Sequence, residues 1–311
     1  MAEGLNIVFM GTPDFAVPTL KALHRGPHRV VQVVTQPDRP RGRGRKAAPT
    51  PVKAAALKMG LSVVQPESIR APEFLQAVRT LRPDLLVVVA FGQILKPALL
   101  EIPRRGAINV HASLLPKYRG AAPIQWAIIN GERETGVTTM FMDAGLDTGD
   151  ILLTRPEPIR VEDTAGTIHD RLAVGGAELL LETLDRLETL NPIPQDHERT
   201  SYAPLLTKAD GHISWDRPAE AIDWRVRGVS PWPGAFTFIQ DRRVKLFRTL
   251  PLEESASAPP GTVVPGFPDE LRVATGRGVL SLLELQGASG RRLPVADFLR
   301  GFPVTPGTVL S

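Results

Sequence analysis

Leu85-Leu86-Val87-Val88-Val89 is an unbroken run of aliphatic residues. A strand with one wet face alternates apolar and polar residues, because successive side chains point to opposite faces. A strand with no alternation has both faces covered, as in a parallel sheet flanked by helices. Outward from this run, Leu5–Gly11, Val30–Gln36, Gly136–Asp143 and the shorter Ala107–His111 are further apolar, β-branched stretches, and the quoted run itself extends over Asp84–Gly92. Between them Asp14–Arg25, Thr50–Met59, Ala71–Leu81 and Pro123–Glu132 have helical spacing. The alternation predicts βαβ units in an open, mainly parallel sheet, an α/β fold. A longer helix is expected over about Thr164–Leu190, with Leu172, Leu179, Leu180, Leu184 and Leu187 on its apolar face.

The pattern then changes. Asn191–Lys208 mixes prolines with polar residues and reads as a linker. After it, Ile213–Trp215, Gly234–Gln240, Arg242–Leu252, Gly261–Val264, Leu271–Ala274 and Val279–Leu285 are short strand-like runs between turn residues, with a helix near Pro218–Gly228. Such closely spaced strands predict a small β-barrel. The expected organisation is a first domain over 1–190, a linker over 191–208 and a second domain over 209–311.

Composition narrows the chemistry. The chain has no cysteine, which excludes disulfides, Cys-ligated zinc and a cysteine nucleophile. No stretch resembles a membrane span or a secretory leader, so a cytoplasmic protein is expected. Its 37 Lys and Arg against 33 Asp and Glu give a formal charge of +4, so any nucleic-acid contact must be local. The phosphate-loop, nucleophile-elbow and zincin patterns are absent, and Gly11-Thr12-Pro13-Asp14-Phe15 lacks the three spaced glycines of a dinucleotide fingerprint. His24 and His28 have helical metal-pair spacing, but Gly26-Pro27 breaks the helix between them, and both read as surface residues.

Three segments carry candidate chemistry. In Ala107–His111, strand alternation puts Asn109 and His111 on one face. An amide can donate to an oxyanion and an imidazole can exchange a proton, which suits acyl transfer, although on residue types alone the pair reads first as a polar strand end that caps a turn. Met142–Asp150 is a glycine-containing acidic loop in which Asp147 could hold the His111 ring, or simply an acidic turn. Gln36–Lys46 interleaves Arg39, Arg41, Arg43, Arg45 and Lys46 with Pro and Gly, which suits a phosphate backbone or a solvated loop.

Taken together, Phe9–Ala16, the basic Gln36–Lys46 loop, Val87–Leu95, Ile108–Pro116, Arg119–Gln125, Met142–Asp150 and Pro231–Ala235 resemble the methionyl-tRNA formyltransferases from end to end. The Asn, His, Ser-Leu-Leu-Pro and Leu-Asp-Thr-Gly elements belong to the wider folate-dependent formyltransferase superfamily; the basic loop and Pro-Trp-Pro narrow it. The resemblance implies a Rossmann-like formyltransferase domain followed by an oligonucleotide-binding (OB-like) barrel. It implies 10-formyltetrahydrofolate as donor, initiator methionyl-tRNA as acceptor, no metal, and a monomer. It gives Asn109, His111 and Asp147 as the catalytic trio. Phe91, Gly92, Gln93, Ile94 and Leu95, with Ser113, Leu114, Leu115, Pro116 and Asp143, would hold folate. Arg39, Arg41, Arg43, Arg45 and Lys46 would meet tRNA, with Arg43 on the acceptor stem; a face carrying Arg242, Arg243 and Lys245 could add to this. Phe91 stands where relatives often carry Tyr, and Arg45 where Lys is common. A sibling that formylates a sugar nucleotide or glycinamide ribonucleotide would share the trio but not the basic loop with Pro-Trp-Pro.

Overall fold

The structure is a computed structural model that describes residues 4–41, 46–287 and 290–311. Its chain forms two compact units. Residues 124–133 and 159–168 cluster with residues 204–311 in the second unit, and the rest of the chain up to Ala203 forms the first.

The first unit is built on seven strands. They are β1 (Asn6–Gly11), β2 (Arg29–Val34), β3 (Val63–Val64), β4 (Leu85–Val89), β5 (Ala107–His111), β6 (Glu134–Phe141) and β7 (Ile151–Pro158). Their order in the sheet is β7-β6-β5-β4-β1-β2-β3. β3, β2, β1, β4 and β5 pair in parallel, while β6 and β7 run antiparallel at the far edge. The aliphatic run behaves as its composition requires: every residue of β4 is buried, and Val8, Met10, Leu86 and Val88 join Phe74 and Val78 in one core cluster. α1 (Val17–Arg25), α2 (Pro51–Lys58) and α3 (Pro72–Leu81) each begin with a proline in the first turn, where its missing N–H costs nothing. Thr50 adds a cap to α2 by accepting the Lys53 N–H at 3.1 Å. The four-residue α4 (Pro97–Leu100) follows β4, and the long helix α6 (Ala165–Asp185) belongs to this unit from His169 onward.

Strand β7 has no counterpart in the sequence reading. Its Pro156 and Pro158 argue against a central strand, but β7 lies at the sheet edge, where a missing donor is tolerated.

His28 also departs from expectation. It is half-buried rather than a free surface residue, and its Nδ1 accepts the Leu5 N–H at 3.3 Å. Burial lowers its pKa below the ordinary 6.5, opposed by Asp185, and its buried Nε2 has no hydrogen-bond partner. A histidine whose folded value is depressed binds its proton more readily when unfolded. Stability is therefore expected to fall as pH drops through about 6.5. His28→Gln keeps an acceptor for Leu5 and should flatten that fall in melts recorded from pH 8 to 5.

The second unit contains α5 (Pro123–Ile129) from Ile124 onward, α7 (Ala219–Gly228) and α8 (Val295–Gly301). Its sheet has strands β8 (Ala235–Ile239), β9 (Arg242–Leu252), β10 (Val263–Val264), β11 (Leu271–Ala274) and β12 (Val279–Gln286), in the order β8-β9-β12-β11-β10. β13 (Leu293–Pro294) pairs with β12. All pairings are antiparallel. The sheet curls, and its two edges are joined by the chain's end: Leu310 bridges Ile239 of β8, and Val309 bridges Thr262 beside β10. Gly261 permits this approach, since a Cβ there would stand 2.6 Å from the Leu310 carbonyl oxygen at a φ of +87°. The expected strand at Ile213–Trp215 does not form. Ile213 N–H reaches Phe236 O at 3.0 Å and Trp215 O accepts the Gly276 N–H at 2.8 Å, two different partners, and the turn from Ser214 to Arg217 ends the segment before a ladder forms.

The segment expected as a linker is tied into the first unit as far as Ala203. Tyr202-Ala203 pairs in parallel with Arg119-Gly120, and Ile193 bridges Ile151 of β7.

Candidate active site

β4 and β5 are parallel neighbours, so the segments that follow them leave the sheet at the same end. In an open α/β sheet this end is where ligands sit. Asn109 and His111 lie two residues apart on β5 and are 8% and 6% exposed, so their polar atoms must be paired within the protein or face a bound molecule. Thr138, opposite His111 on β6, clamps the turn beyond: its Oγ1 donates to Ser113 O at 2.7 Å and accepts the Leu115 N–H at 3.2 Å.

The acidic loop starts beside Ala107, at the opposite end of β5, because β6 is antiparallel. Phe141 N–H to Asp150 O at 3.0 Å closes its two ends together, and the loop between them reaches back over the strand. Asp147 adopts a φ of +54°, a left-handed conformation that Asp and Asn tolerate better than most residues. Its carboxylate is shared: Oδ1 lies 3.4 Å from Asn109 Nδ2 and 3.7 Å from His111 Nδ1, and Oδ2 accepts the Gly120 N–H at 2.9 Å. The three residues expected to act together are thus in one cluster.

The histidine's orientation follows from its other nitrogen. Nε2 is 3.0 Å from the Tyr118 carbonyl oxygen, which can only accept, so Nε2 carries a proton. The other nitrogen, Nδ1, faces Asp147 Oδ1 at 3.7 Å.

A residue that the sequence reading missed holds the loop in place. Gln195, 6% exposed, donates through Nε2 to Asp147 O at 2.9 Å and Gly149 O at 2.7 Å, and its Oε1 accepts from buried Arg119 at 2.6 and 3.0 Å. Nothing in a Pro-rich polar stretch marks this glutamine; only the fold brings it under the loop. Gln195→Ala leaves two carbonyls and a guanidinium without these partners, a loss of about 2–3 kcal/mol. Reduced turnover and a lower melting temperature are expected together, checked by a transfer assay and calorimetry.

The other expected site residues fall into three groups. Phe91 and Leu95 are buried in the core cluster, while Gly92 and Ile94 are exposed and Gln93 is half-buried. Leu115 is buried, Leu114 and Pro116 are half-exposed around a cis Leu115–Pro116 bond, and the Ser113 hydroxyl is held by Lys117 O at 2.6 Å. Asp143 is exposed, and its Oδ1 closes the loop by accepting from Gly145 N–H at 2.9 Å and Thr148 Oγ1 at 2.6 Å.

Of the basic residues, Arg39 is exposed and borders a cavity of about 350 Å³ with Thr12, Gln36, Phe91 and Gly92. The backbone of Arg39–Arg41 pairs with Lys46–Ala48. At the base of this ribbon Asp38 binds Lys53 at 2.5 Å and Gln65 at 2.6 Å; these contacts, the lysine's first, lower the Asp38 pKa. Arg43 and Arg45, with the side chains of Arg41 and Lys46, lie outside the described residues. In the second unit Arg243 lies 3.8 Å from the Phe236 ring centroid, and Arg242 and Lys245 are exposed. No helix among the described residues is long and apolar enough to cross a membrane.

Comparison with known proteins accords with this geometry. Residues 5–184 match the formyl transferase family model and residues 205–303 match the formyl transferase C-terminal domain. The methionyl-tRNA formyltransferase of Citrifermentans bemidjiense is 54% identical over 310 residues, covering 99% of this chain and 97% of the relative. That of Pelotomaculum thermopropionicum is 52% identical over 309 residues, covering 99% of each. Among solved structures, an N-formyltransferase from Helicobacter canadensis, in complex with folinic acid and dTDP-3-aminofucose, superposes with a TM-score of 0.68 at 19% identity, over 93% of this chain and all of that one. With both domains matched and half of all residues shared along its length, this chain belongs to the methionyl-tRNA formyltransferase family.

Proposed function

We propose that this enzyme transfers the formyl group of 10-formyltetrahydrofolate to the α-amino group of methionine on initiator tRNA, with Asn109, His111 and Asp147 as its catalytic groups. Formyl transfer from formyltetrahydrofolate to methionyl-tRNA is the activity of the family. The observation that carries the residue assignment is the convergence of one amide, one imidazole and one carboxylate within 3.7 Å at the carboxyl end of β5.

The neutral amine attacks the formyl carbon, a new C–N bond forms, and the carbonyl oxygen becomes an oxyanion. Asn109 Nδ2 has two protons; one faces Asp147 and the other is available to that oxygen. Protonated His111, through Nδ1, is the second donor. The attacking amine then loses a proton, by way of His111 and a water held by Asp147, and N10 of the folate gains one as the C–N10 bond breaks. No proton is gained or lost overall. Folate would lie along Phe91–Leu95 and Ser113–Pro116, with Asp143 at the far loop.

The basic loop would meet the tRNA backbone, and Arg43 the acceptor stem. Arg43→Ala should weaken the use of tRNA and reduce the slope of log affinity against log salt by about one, with folate binding unchanged. Unchanged kinetics with tRNA would return the loop to a solvated role. The function as a whole is tested by transfer from formyl-labelled folate, comparing methionyl initiator tRNA with free methionine. Equal use of both, or formylation of neither, overturns it.

A further inference from the structure

A cavity of about 480 Å³ in the second unit is bordered by Arg217 and Arg225. Arg225 is half-buried, with its guanidinium carbon 5.8 Å from the centroid of the Trp126 ring, and it donates to Asp210 O at 3.3 Å. The indole is fixed in turn by its Nε1 donating to Pro204 O at 2.8 Å. The Asp210 carboxylate, also on the lining, caps its own turn by accepting Thr207 N–H at 2.6 Å and Thr207 Oγ1 at 2.8 Å. Burial lowers the Arg225 pKa; Asp210 opposes the shift and the neighbouring Arg217 charge adds to it. Two guanidinium groups thus border one concave space, where their forked donors can reach an anion's oxygens, with the Asp210 carboxylate also on the lining.

The lining also carries an imidazole. The exposed His212 ring stacks on Phe236 at 5.1 Å and 14° between planes, and meets the Phe238 ring edge-to-face at 5.8 Å. Asn130 and Ser214 add polar groups to the lining. Two arginines, an exposed flat ring and a volume within the small-ligand range together match a phosphate linked to a planar base.

We propose that this cavity binds a nucleoside monophosphate unit, with its phosphate between Arg217 and Arg225 and its base stacked on His212. Its source is a free mononucleotide or an unpaired nucleotide of bound tRNA; the second source rests on the function proposed above. The full-length protein is titrated with AMP, and with initiator tRNA over a salt series, for the wild type, Arg217→Gln and His212→Ala. Both substituted residues are exposed, and circular dichroism melts check that the variants fold. Loss of a charged hydrogen bond predicts about tenfold weaker binding in Arg217→Gln, and loss of the stacking face predicts about 5- to 100-fold in His212→Ala.

AMP binding that weakens in both variants and competes with tRNA supports the tRNA nucleotide. AMP binding that weakens in both variants without competing supports a free mononucleotide. Weaker tRNA binding in both variants, with a salt slope reduced by about one in Arg217→Gln, supports the tRNA source even if AMP does not bind. AMP binding indifferent to both substitutions, or no AMP binding together with wild-type tRNA affinity in both variants, overturns the site. Formyl transfer by the wild type is measured beside these titrations, so failure of the tRNA reading is seen separately from failure of the cavity.

Discussion

Asn109→Ala is expected to lower formyl transfer by about 10²–10³, the usual cost of one oxyanion donor, while folate binding persists. His111→Ala removes the second donor and the proton carrier, and should lose at least as much. The geometry gives a further expectation. Both side chains project from one face of β5 and share Asp147 Oδ1, so the proposed mechanism has them act on one oxygen as a unit. Groups that act as a unit are strongly non-additive. The double variant should therefore be little slower than His111→Ala alone. Single-turnover transfer from formyl-labelled folate, with folate binding measured separately, checks this. Near-normal turnover in either single variant would remove it from the mechanism.

Asp147→Asn tests the third group with little disturbance of the backbone, because Asn tolerates the left-handed φ of +54° found there. The carboxylate now accepts from Gly120 on one oxygen and faces Asn109 and His111 with the other. An amide has a single acceptor. Turned to satisfy the Gly120 N–H, it presents NH₂ to Asn109 Nδ2 and His111 Nδ1. His111 is then held as an acceptor at Nδ1, the nitrogen needed to carry the proton. Exchanging the carboxylate partner of a catalytic histidine for its amide elsewhere costs about 10⁴ in turnover, and a loss of about 10³–10⁴ is expected here. The pH profile distinguishes this from a packing defect. The variant should recover part of its rate at high pH, where the amine needs less help to lose its proton, whereas a distorted site would be slow at every pH. Turnover within tenfold of the wild type would refute the role.

Much of the fold was legible because local sequence and burial agree in it. Ala107–His111 forms a strand with the expected bounds, and the aliphatic run became the buried β4. The misses are segments where tertiary context outweighs local pattern. β7 contains prolines and charged residues that only an edge position makes tolerable. Ile213–Trp215 is apolar enough for a strand, yet its backbone bonds go to two separate partners, Phe236 and Gly276, before the chain turns. His28 has the neighbours of a surface residue, and folding buried its Nε2.

The sequence by itself determined the parallel core, the side of β5 on which Asn109 and His111 stand, and the family. Strand periodicity and long motifs are local properties that a chain displays before it folds. The tertiary structure decided what those residues can do. An antiparallel β6 sends the acidic loop back over β5, Gln195 from a segment that reads as a linker holds Asp147 and Gly149, and the Tyr118 carbonyl orients the imidazole so that Nδ1 faces Asp147. Those are contacts across 7 to 48 residues of sequence, and no local pattern encodes a hydrogen bond whose partner is chosen by the path of the chain.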